Sequence, residues 1–177
     1  EHALAIWALM CRRSLELGII SCSAAMNACS RTGQWQRALV LFSEMQQSCL
    51  RIDKIAYNSV VSACERGAHW VGALGILTEM RRTDLAPDVI GYSAAMSACG
   101  RCGEWQQALA LLMAMQAKGL YVDEVSFNAA VTACARGRQW ELALKVLETM
   151  LFQTFKTSVI GYNSAISACE KGGRWEW

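Results

Sequence analysis

Apolar residues recur along the chain at spacings of three and four, in a pattern that repeats every 35 residues. One copy consists of Trp35, Ala38, Leu39, Phe42 and Met45, and the next consists of Trp70, Ala73, Leu74, Leu77 and Met80. This spacing places the side chains on one stripe of an α-helix. The pattern therefore predicts one amphipathic helix in every period, with its apolar stripe facing a core.

A second helix is predicted in each period, ahead of the first. Its start is marked by residues suited to helix N-caps, since aspartate and serine side chains accept hydrogen bonds from unpaired backbone N–H groups. Its end is marked by a short break containing a glycine such as Gly33 or Gly67, which suits a left-handed C-terminal turn. The predicted helices begin after Gly18, Asp53, Asp88, Asp123 and Ser158.

Two helices in every period predict an all-α fold. The repeats span 19–53, 54–88, 89–123 and 124–158, with the second helix of another repeat in 1–18 and a partial repeat in 159–177. One hairpin of this size cannot bury a core, but stacked hairpins can. We therefore expect a single α-solenoid of helix-turn-helix repeats that forms a superhelix. We also expect the chain to be an excerpt from a longer protein.

Cysteine, tryptophan and methionine follow the same period. Five of the nine cysteines lie 35 residues apart, at Cys29, Cys64, Cys99, Cys134 and Cys169. Equivalent places in stacked repeats are too far apart for a disulfide, so we interpret these residues as small buried apolar groups. The recurring tryptophans and methionines are expected to pack in the core or between hairpins. Cys99 and Cys102 form one C-x-x-C without further ligands, and no metal or cofactor is predicted.

Composition narrows the class of protein only slightly. The hydrophobic fraction of 54% argues against disorder, and the single proline, Pro87, favours helices. The apolar runs are shorter than the 18 to 20 residues or so that span a bilayer, and the first residues, Glu1 to Leu4, lack the basic start typical of a signal peptide. The net charge of +2 neither requires nor excludes a nucleic-acid partner.

The first helix of each repeat has two different faces. Counted from the first residue of a repeat, the fourth, eighth and eleventh places share one face, which holds Tyr57, Val61 and Cys64 in one repeat. We predict that this face is core. The second, fifth, ninth and thirteenth places share the opposite face.

That opposite face repeats its chemistry in every copy. The second place is aliphatic, at Ile20, Ile55, Ile90, Val125 and Ile160. The fifth place is serine or asparagine, at Ser23, Asn58, Ser93, Asn128 and Asn163. The ninth place is small and polar, at Asn27, Ser62, Ser97, Thr132 and Ser167. The thirteenth place is basic, at Arg31, Arg66, Arg101, Arg136 and Lys171.

Rows of aliphatic, small polar and basic residues suit single-stranded nucleic acid. Bases can lie against the aliphatic groups, polar side chains can bond to base edges, and the cations can contact phosphates. Simpler interpretations exist for each row. The aspartates serve as N-caps in either case, the serines and asparagines could be ordinary surface residues, and a basic residue is favourable near any helix C-terminus.

The segment 53–58, Asp-Lys-Ile-Ala-Tyr-Asn, is followed by Ala73-Leu74, Met80 and Pro87-Asp88. Together these residues resemble the pentatricopeptide repeat, and 123–128 repeats the opening segment. The resemblance covers essentially the whole chain. The recurring tryptophans and cysteines, and the scarcity of proline before the last aspartate, depart from the family pattern.

The resemblance implies that the chain binds single-stranded RNA at one base per repeat. The second-place residues of adjacent repeats would clamp the base. The fifth and last places would set its identity: Ser23 with Asp53 and Ser93 with Asp123 imply G, and Asn58 with Asp88 implies U. Asn128 with Ser158 implies C or U, and Asn163 implies a pyrimidine. The predicted RNA is 5′-GUG-(C/U)-pyrimidine-3′, parallel to the chain.

The resemblance also implies a biological setting. Family members act in processing, stabilisation or editing of organellar RNA, so we expect a chloroplast or mitochondrial protein with other RNA-processing proteins as further partners. A membrane or small-molecule partner is not expected. His2 and His69 lack the glutamate two places on that a zinc deaminase requires, and no enzyme activity is predicted. The alternative function is a peptide- or protein-binding helical-repeat scaffold.

Overall fold

A computed structural model describes residues 19–48, 52–152 and 159–173, and every regular element in these ranges is an α-helix. The helices are α1 Ile19–Thr32, α2 Trp35–Gln47, α3 Lys54–Arg66, α4 Trp70–Arg82, α5 Val89–Cys102, α6 Trp105–Ala117, α7 Glu124–Arg136, α8 Trp140–Phe152 and α9 Val159–Lys171. The predicted all-α fold of helical hairpins is confirmed. The predicted half repeat in 1–18 lies outside the described residues.

The chain divides into two compact units between Pro87 and Asp88. In the first unit, α1 packs against α2 and α3, and α3 packs against α2 and α4. In the second unit, α7 is the central helix and packs against α5, α6, α8 and α9. The first helices of neighbouring repeats therefore pack side by side within each unit. The exact repeat boundaries and one continuous superhelix stay predictions.

Aspartate side chains fix the starts of three first helices. Asp53 Oδ1 accepts a hydrogen bond from Ala56 N at 2.8 Å, and Asp88 Oδ1 accepts one from Gly91 N at 3.0 Å. Asp123 Oδ1 accepts one from Ser126 N at 2.9 Å. The predicted N-cap role of these aspartates is confirmed, whereas Gly18 and Ser158 lie outside the described residues.

The turn between the two helices always contains a residue with positive φ at the fifteenth place. Glycine holds it at Gly33, Gly103 and Gly173, but Ala68 and Arg138 hold it in the other repeats, with φ of 51° and 57°. The prediction that Gly67 makes the left-handed turn is wrong, because its φ is −81° and the next residue turns instead.

The predicted core face of the first helices is buried. The fourth, eighth and eleventh places are at most 1% exposed in α3, α5 and α7, from Tyr57 through Cys134. In the second helices, Ala38, Phe42 and Met45 are buried as predicted, but Leu41 is buried in place of Leu39. The apolar stripe therefore follows 38, 41, 42 and 45, and Leu39 sits at its edge.

Candidate nucleic-acid interface

The second-place aliphatic residues lie on the surface. Exposure is 66% for Ile55, 62% for Ile90, 56% for Val125 and 63% for Ile160. The side chain of Ile20 is not among those that the structure describes. Large aliphatic side chains at the start of α3, α5, α7 and α9 are thus available to a ligand, although the next residue of each helix is buried.

The fifth-place polar residues are covered to different degrees. Ser23, Asn58 and Asn128 are half-buried, Ser93 is buried, and Asn163 is exposed. Asn128 Nδ2 donates to Glu124 Oε1 at 3.4 Å, one turn earlier in α7. The polar row therefore lies at the boundary between solvent and the packed first helices. The ninth-place residues are half-buried as well, except for Asn27, which is exposed.

Ser93 and Asp123, the two residues assigned to one base by the resemblance, lie next to each other. Ser93 Oγ is 3.3 Å from Asp123 Oδ1 and 2.8 Å from the carbonyl oxygen of Val89. Residues 30 positions apart in sequence are joined because α5 and α7 pack side by side. Ser158, assigned as the partner of Asn128, lies outside the described residues.

The basic row is exposed and also joins neighbouring repeats. Arg66 Nη1 donates to the backbone carbonyl of Arg31 at 3.0 Å, and Arg136 Nη1 donates likewise to the carbonyl of Arg101. The accepting carbonyls belong to the last turns of α1 and α5, where carbonyl groups lack helical partners. A guanidinium group has five N–H donors, so this contact leaves donors and the full charge for another ligand. The sequence did not predict this packing role.

Models of the pentatricopeptide repeat match overlapping parts of the chain. The pentatricopeptide repeat domain matches residues 40–102, the PPR repeat family matches 87–136, and the PPR repeat matches 20–50 and 125–153. The matched spans run together from residue 20 to residue 153. The chain belongs to the pentatricopeptide repeat family.

Solved structures of pentatricopeptide repeat proteins have the same fold. Maize PPR10, solved in complex with an 18-nt psaJ RNA element, is 26% identical with a TM-score of 0.77, and the match covers 98% of this chain and 26% of that one. Nuclear proteinaceous RNase P 2 from A. thaliana is 16% identical with a TM-score of 0.82, covering 97% of this chain and 39% of that one.

The pentatricopeptide domain of A. thaliana protein-only RNase P 1, solved in complex with tRNA, is 15% identical with a TM-score of 0.71. That match covers 85% of this chain and 82% of the domain. The match to PPR10 covers 26% of that protein, so this chain spans about a quarter of its length. No curated protein matches the chain in sequence.

Three of the tryptophans that depart from the usual pentatricopeptide pattern, Trp35, Trp105 and Trp140, pack between repeats. Trp35 lies so close to Gly67 that a Cβ there would overlap the indole Cδ1, and Trp105 is equally close to Gly137. Trp140 and Gly172 form a third such contact. Each tryptophan begins a second helix, and each glycine follows the first helix of the next repeat. The expected packing between hairpins is confirmed, and its glycine partners were not foreseen.

The cysteines of these pentatricopeptide repeats are buried thiols, as predicted for Cys29, Cys64, Cys99 and Cys134. Burial raises the pKa of Cys64 and of Cys134 to about 11. Burial, and then the neighbouring Cys102 and Glu104, raises the pKa of Cys99 to about 12. Neutral thiols of this kind are poor nucleophiles and poor metal ligands. Cys169 is half-buried, and Cys102 is exposed.

Within 19–48, 52–152 and 159–173, no group of three or more histidine, cysteine, aspartate or glutamate side chains could hold a metal ion. Over the same ranges, none of the helices combines the length and the apolar character that crossing a bilayer requires.

Proposed function

We propose that this chain binds single-stranded RNA, with one base recognised by each repeat and a preferred sequence of 5′-GUG-(C/U)-pyrimidine-3′. The observation that carries the proposal is the 3.3 Å contact between Ser93 Oγ and Asp123 Oδ1. These two residues are the pair that the family resemblance assigns to the third base. Their meeting supports a role for the fifth and last places as one recognition unit.

The surrounding residues suit the same ligand. Ile90, on the same helix as Ser93, and Val125, on the helix that Asp123 caps, are exposed by more than half. A base between them would bury apolar surface against both side chains. Ionised aspartate only accepts hydrogen bonds, and guanine offers ring and amino N–H donors on its pairing edge. The arrangement thus supports guanine as the third base.

The phosphate contacts are proposed for the thirteenth-place residues, Arg31, Arg66, Arg101, Arg136 and Lys171. All five side chains are exposed, each in the last turn of a first helix. We further propose that the protein acts on chloroplast or mitochondrial transcripts, in processing, stabilisation or editing, together with other RNA-processing proteins. Family membership and the RNA complex of PPR10 support this setting.

Substitution Asp123→Asn tests the recognition pair. Asparagine caps a helix as well as aspartate does, so α7 should keep its start. Its amide group donates where the carboxylate accepts, so the preference for G at the third base should fall about fivefold to tenfold. The measurement is the dissociation constant for four short RNAs that differ only at the third base.

Asp84→Asn is the matched control. Asp84 is exposed in the linker after α4 and has a φ of 55°, a conformation that asparagine also tolerates. The control makes the same chemical change away from the proposed pair and should leave all four dissociation constants unchanged. Equal binding of the four RNAs by the unmodified chain would refute the base assignment.

A further inference from the structure

Ser126 is the only fully buried serine in the described part of the chain, with 0% exposure. It occupies the third place of its repeat, where the equivalent residues are Ser21, Ala56, Gly91 and Gly161. A buried hydroxyl is costly unless it is hydrogen-bonded, so its partners are informative about its role.

Both partners of the Ser126 hydroxyl belong to the recognition pair. Ser126 Oγ donates to Asp123 Oδ1 at 2.6 Å and lies 2.8 Å from Ser93 Oγ. The same Asp123 oxygen also accepts from Ser126 N. Residue 126 therefore holds the carboxylate through its backbone and its side chain, and it joins that carboxylate to Ser93.

This network sets the direction of the hydrogen bonds. Each hydroxyl has one proton, and the 2.6 Å separation is typical of a hydroxyl donating to a carboxylate. The proton of Ser93 then has three acceptors inside the protein: Ser126 Oγ and the Val89 carbonyl, both at 2.8 Å, and Asp123 Oδ1 at 3.3 Å. With both protons used inside the protein, Ser93 and Asp123 face a base only as acceptors.

A pair of acceptors distinguishes the two purines. Guanine carries two N–H donor groups on its pairing edge, whereas adenine carries an amino group beside a ring nitrogen that accepts. Two fixed acceptors therefore fit guanine and leave the adenine ring nitrogen facing a lone pair. Groups held in place before the ligand arrives also lose less entropy on binding.

The sequence shows that the third place varies with the fifth place of the preceding repeat, 33 residues earlier. Asparagine at the fifth place is followed by glycine, as in Asn128 and Gly161, whereas serine is followed by a residue with a side chain, as in Ser23 and Ala56. This compensation in size is expected if the two places are close together, as Ser93 and Ser126 are.

We propose that Ser126 is a positioning residue for base specificity, which holds Ser93 and Asp123 as paired acceptors and sharpens the choice of guanine over adenine at the third base. The proposal rests on the proposed function of RNA recognition. It adds a third residue, from the following repeat, to the two that the family resemblance supplies.

The test compares the unmodified chain with Ser126→Ala. Alanine occupies this place naturally at Ala56, so α7 should still form. Without the Ser126 hydroxyl, Asp123 Oδ1 loses its 2.6 Å donor and Ser93 loses one of its hydrogen-bond partners, so the two groups are held less firmly as paired acceptors. The ratio of dissociation constants for A and G at the third base should fall about fivefold, and the first-base ratio should stay unchanged.

Ala56→Ser is the reciprocal variant, because it adds the same hydroxyl beside Asp53. It should raise the preference for G over A at the first base about fivefold, and the ratio of dissociation constants for A and G at the third base should stay unchanged. Ser126→Ala with an unaltered third-base ratio, or with equal losses at both bases, would overturn the positioning role while leaving RNA recognition intact. An unmodified chain without any base preference would instead overturn the proposed function, and this role with it.

Discussion

Phe127 and Val125 lie two residues apart on α7, yet one is 0% exposed and the other 56%. The buried face of the first helices contains aromatic residues, methionine and cysteine, and the opposite face contains aliphatic, small polar and basic residues. The contrast teaches that one helix serves packing and the proposed recognition through separate sets of positions. Changes on the first face should alter stability, and changes on the second should alter binding.

The largest expected effect is on the buried side. Phe127→Ala should lower the free energy of unfolding by about 3–5 kcal/mol, because it leaves a cavity at the centre of the second unit. Urea denaturation followed by circular dichroism measures the loss. A change below about 1 kcal/mol would show that this face is not core.

The next largest effect on stability is expected at Gly137, which follows the last residue of α7. In Gly137→Ala, the added methyl group would overlap Trp105, so we expect a loss of about 1–3 kcal/mol. Gly75→Ala is the matched control, since a Cβ there meets nothing within 4 Å and alanine favours a helix by about 0.5–1 kcal/mol. If Gly137→Ala lowers the melting temperature and Gly75→Ala raises it, the contact between Gly137 and Trp105 is supported. If both substitutions shift the melting temperature in the same direction, the contact is contradicted.

Alkaline pH should lower the free energy of unfolding, because the cysteine thiols on the buried face ionise less readily in the folded chain than in the unfolded chain. The pKa of Cys134 is raised from 9.0 in the ordinary thiol to about 11, so the folded chain holds this proton more tightly than the unfolded chain. Its contribution is complete below pH 9 and is lost as pH rises towards 11. Compared with Cys134→Ala, the unmodified chain should lose about 1 kcal/mol of stability by about pH 10.

Unfolding free energies measured at neutral pH and near pH 10 check this difference. The control is Val131→Ala, because Val131 is buried on the same helix but carries no titratable proton, so its truncation should not alter the pH dependence. The interpretation of Cys134 as a desolvated thiol fails if its removal also leaves the pH dependence unchanged.

The smallest effect on stability is expected on the exposed side. Val125→Ala should change the unfolding free energy by less than about 0.5 kcal/mol and weaken RNA binding about threefold to tenfold. Val71→Ala is the matched control, since Val71 is 57% exposed on a second helix. Equal affinities of the two variants for RNA would argue against the aliphatic row as part of the interface.

Much of the fold follows from patterns local to one repeat. Spacings of three and four predict the helices, and aspartate predicts their starts at Asp53, Asp88 and Asp123, because capping involves only neighbouring residues. The error at Gly67 has a different origin. Position 67 holds glycine because a Cβ there would overlap Trp35 of the preceding repeat. A contact between residues so far apart in sequence cannot be predicted from the residues next to Gly67.

Some features of the candidate site could likewise be predicted from local patterns, and others could not. The exposed row at Ile55, Ile90 and Val125 could be predicted from helical periodicity. The carbonyl contact of Arg66 and the network of Ser126 could not, because both depend on the lateral packing of two first helices. A signal for Ser126 was nevertheless present, since the equivalent places hold the small apolar residues Ala56, Gly91 and Gly161, with a hydroxyl only at Ser21 and Ser126.

The tryptophan contacts bear on how such arrays are rearranged by recombination or by protein engineering. Trp105 and Gly137 belong to successive repeats, so a crossover at the repeat boundary would separate an indole from the glycine that accommodates it. A segment from 105 to 137 carries both partners intact. The natural cassette for exchange therefore begins at a tryptophan and runs into the following repeat, out of phase with the 35-residue unit of recognition.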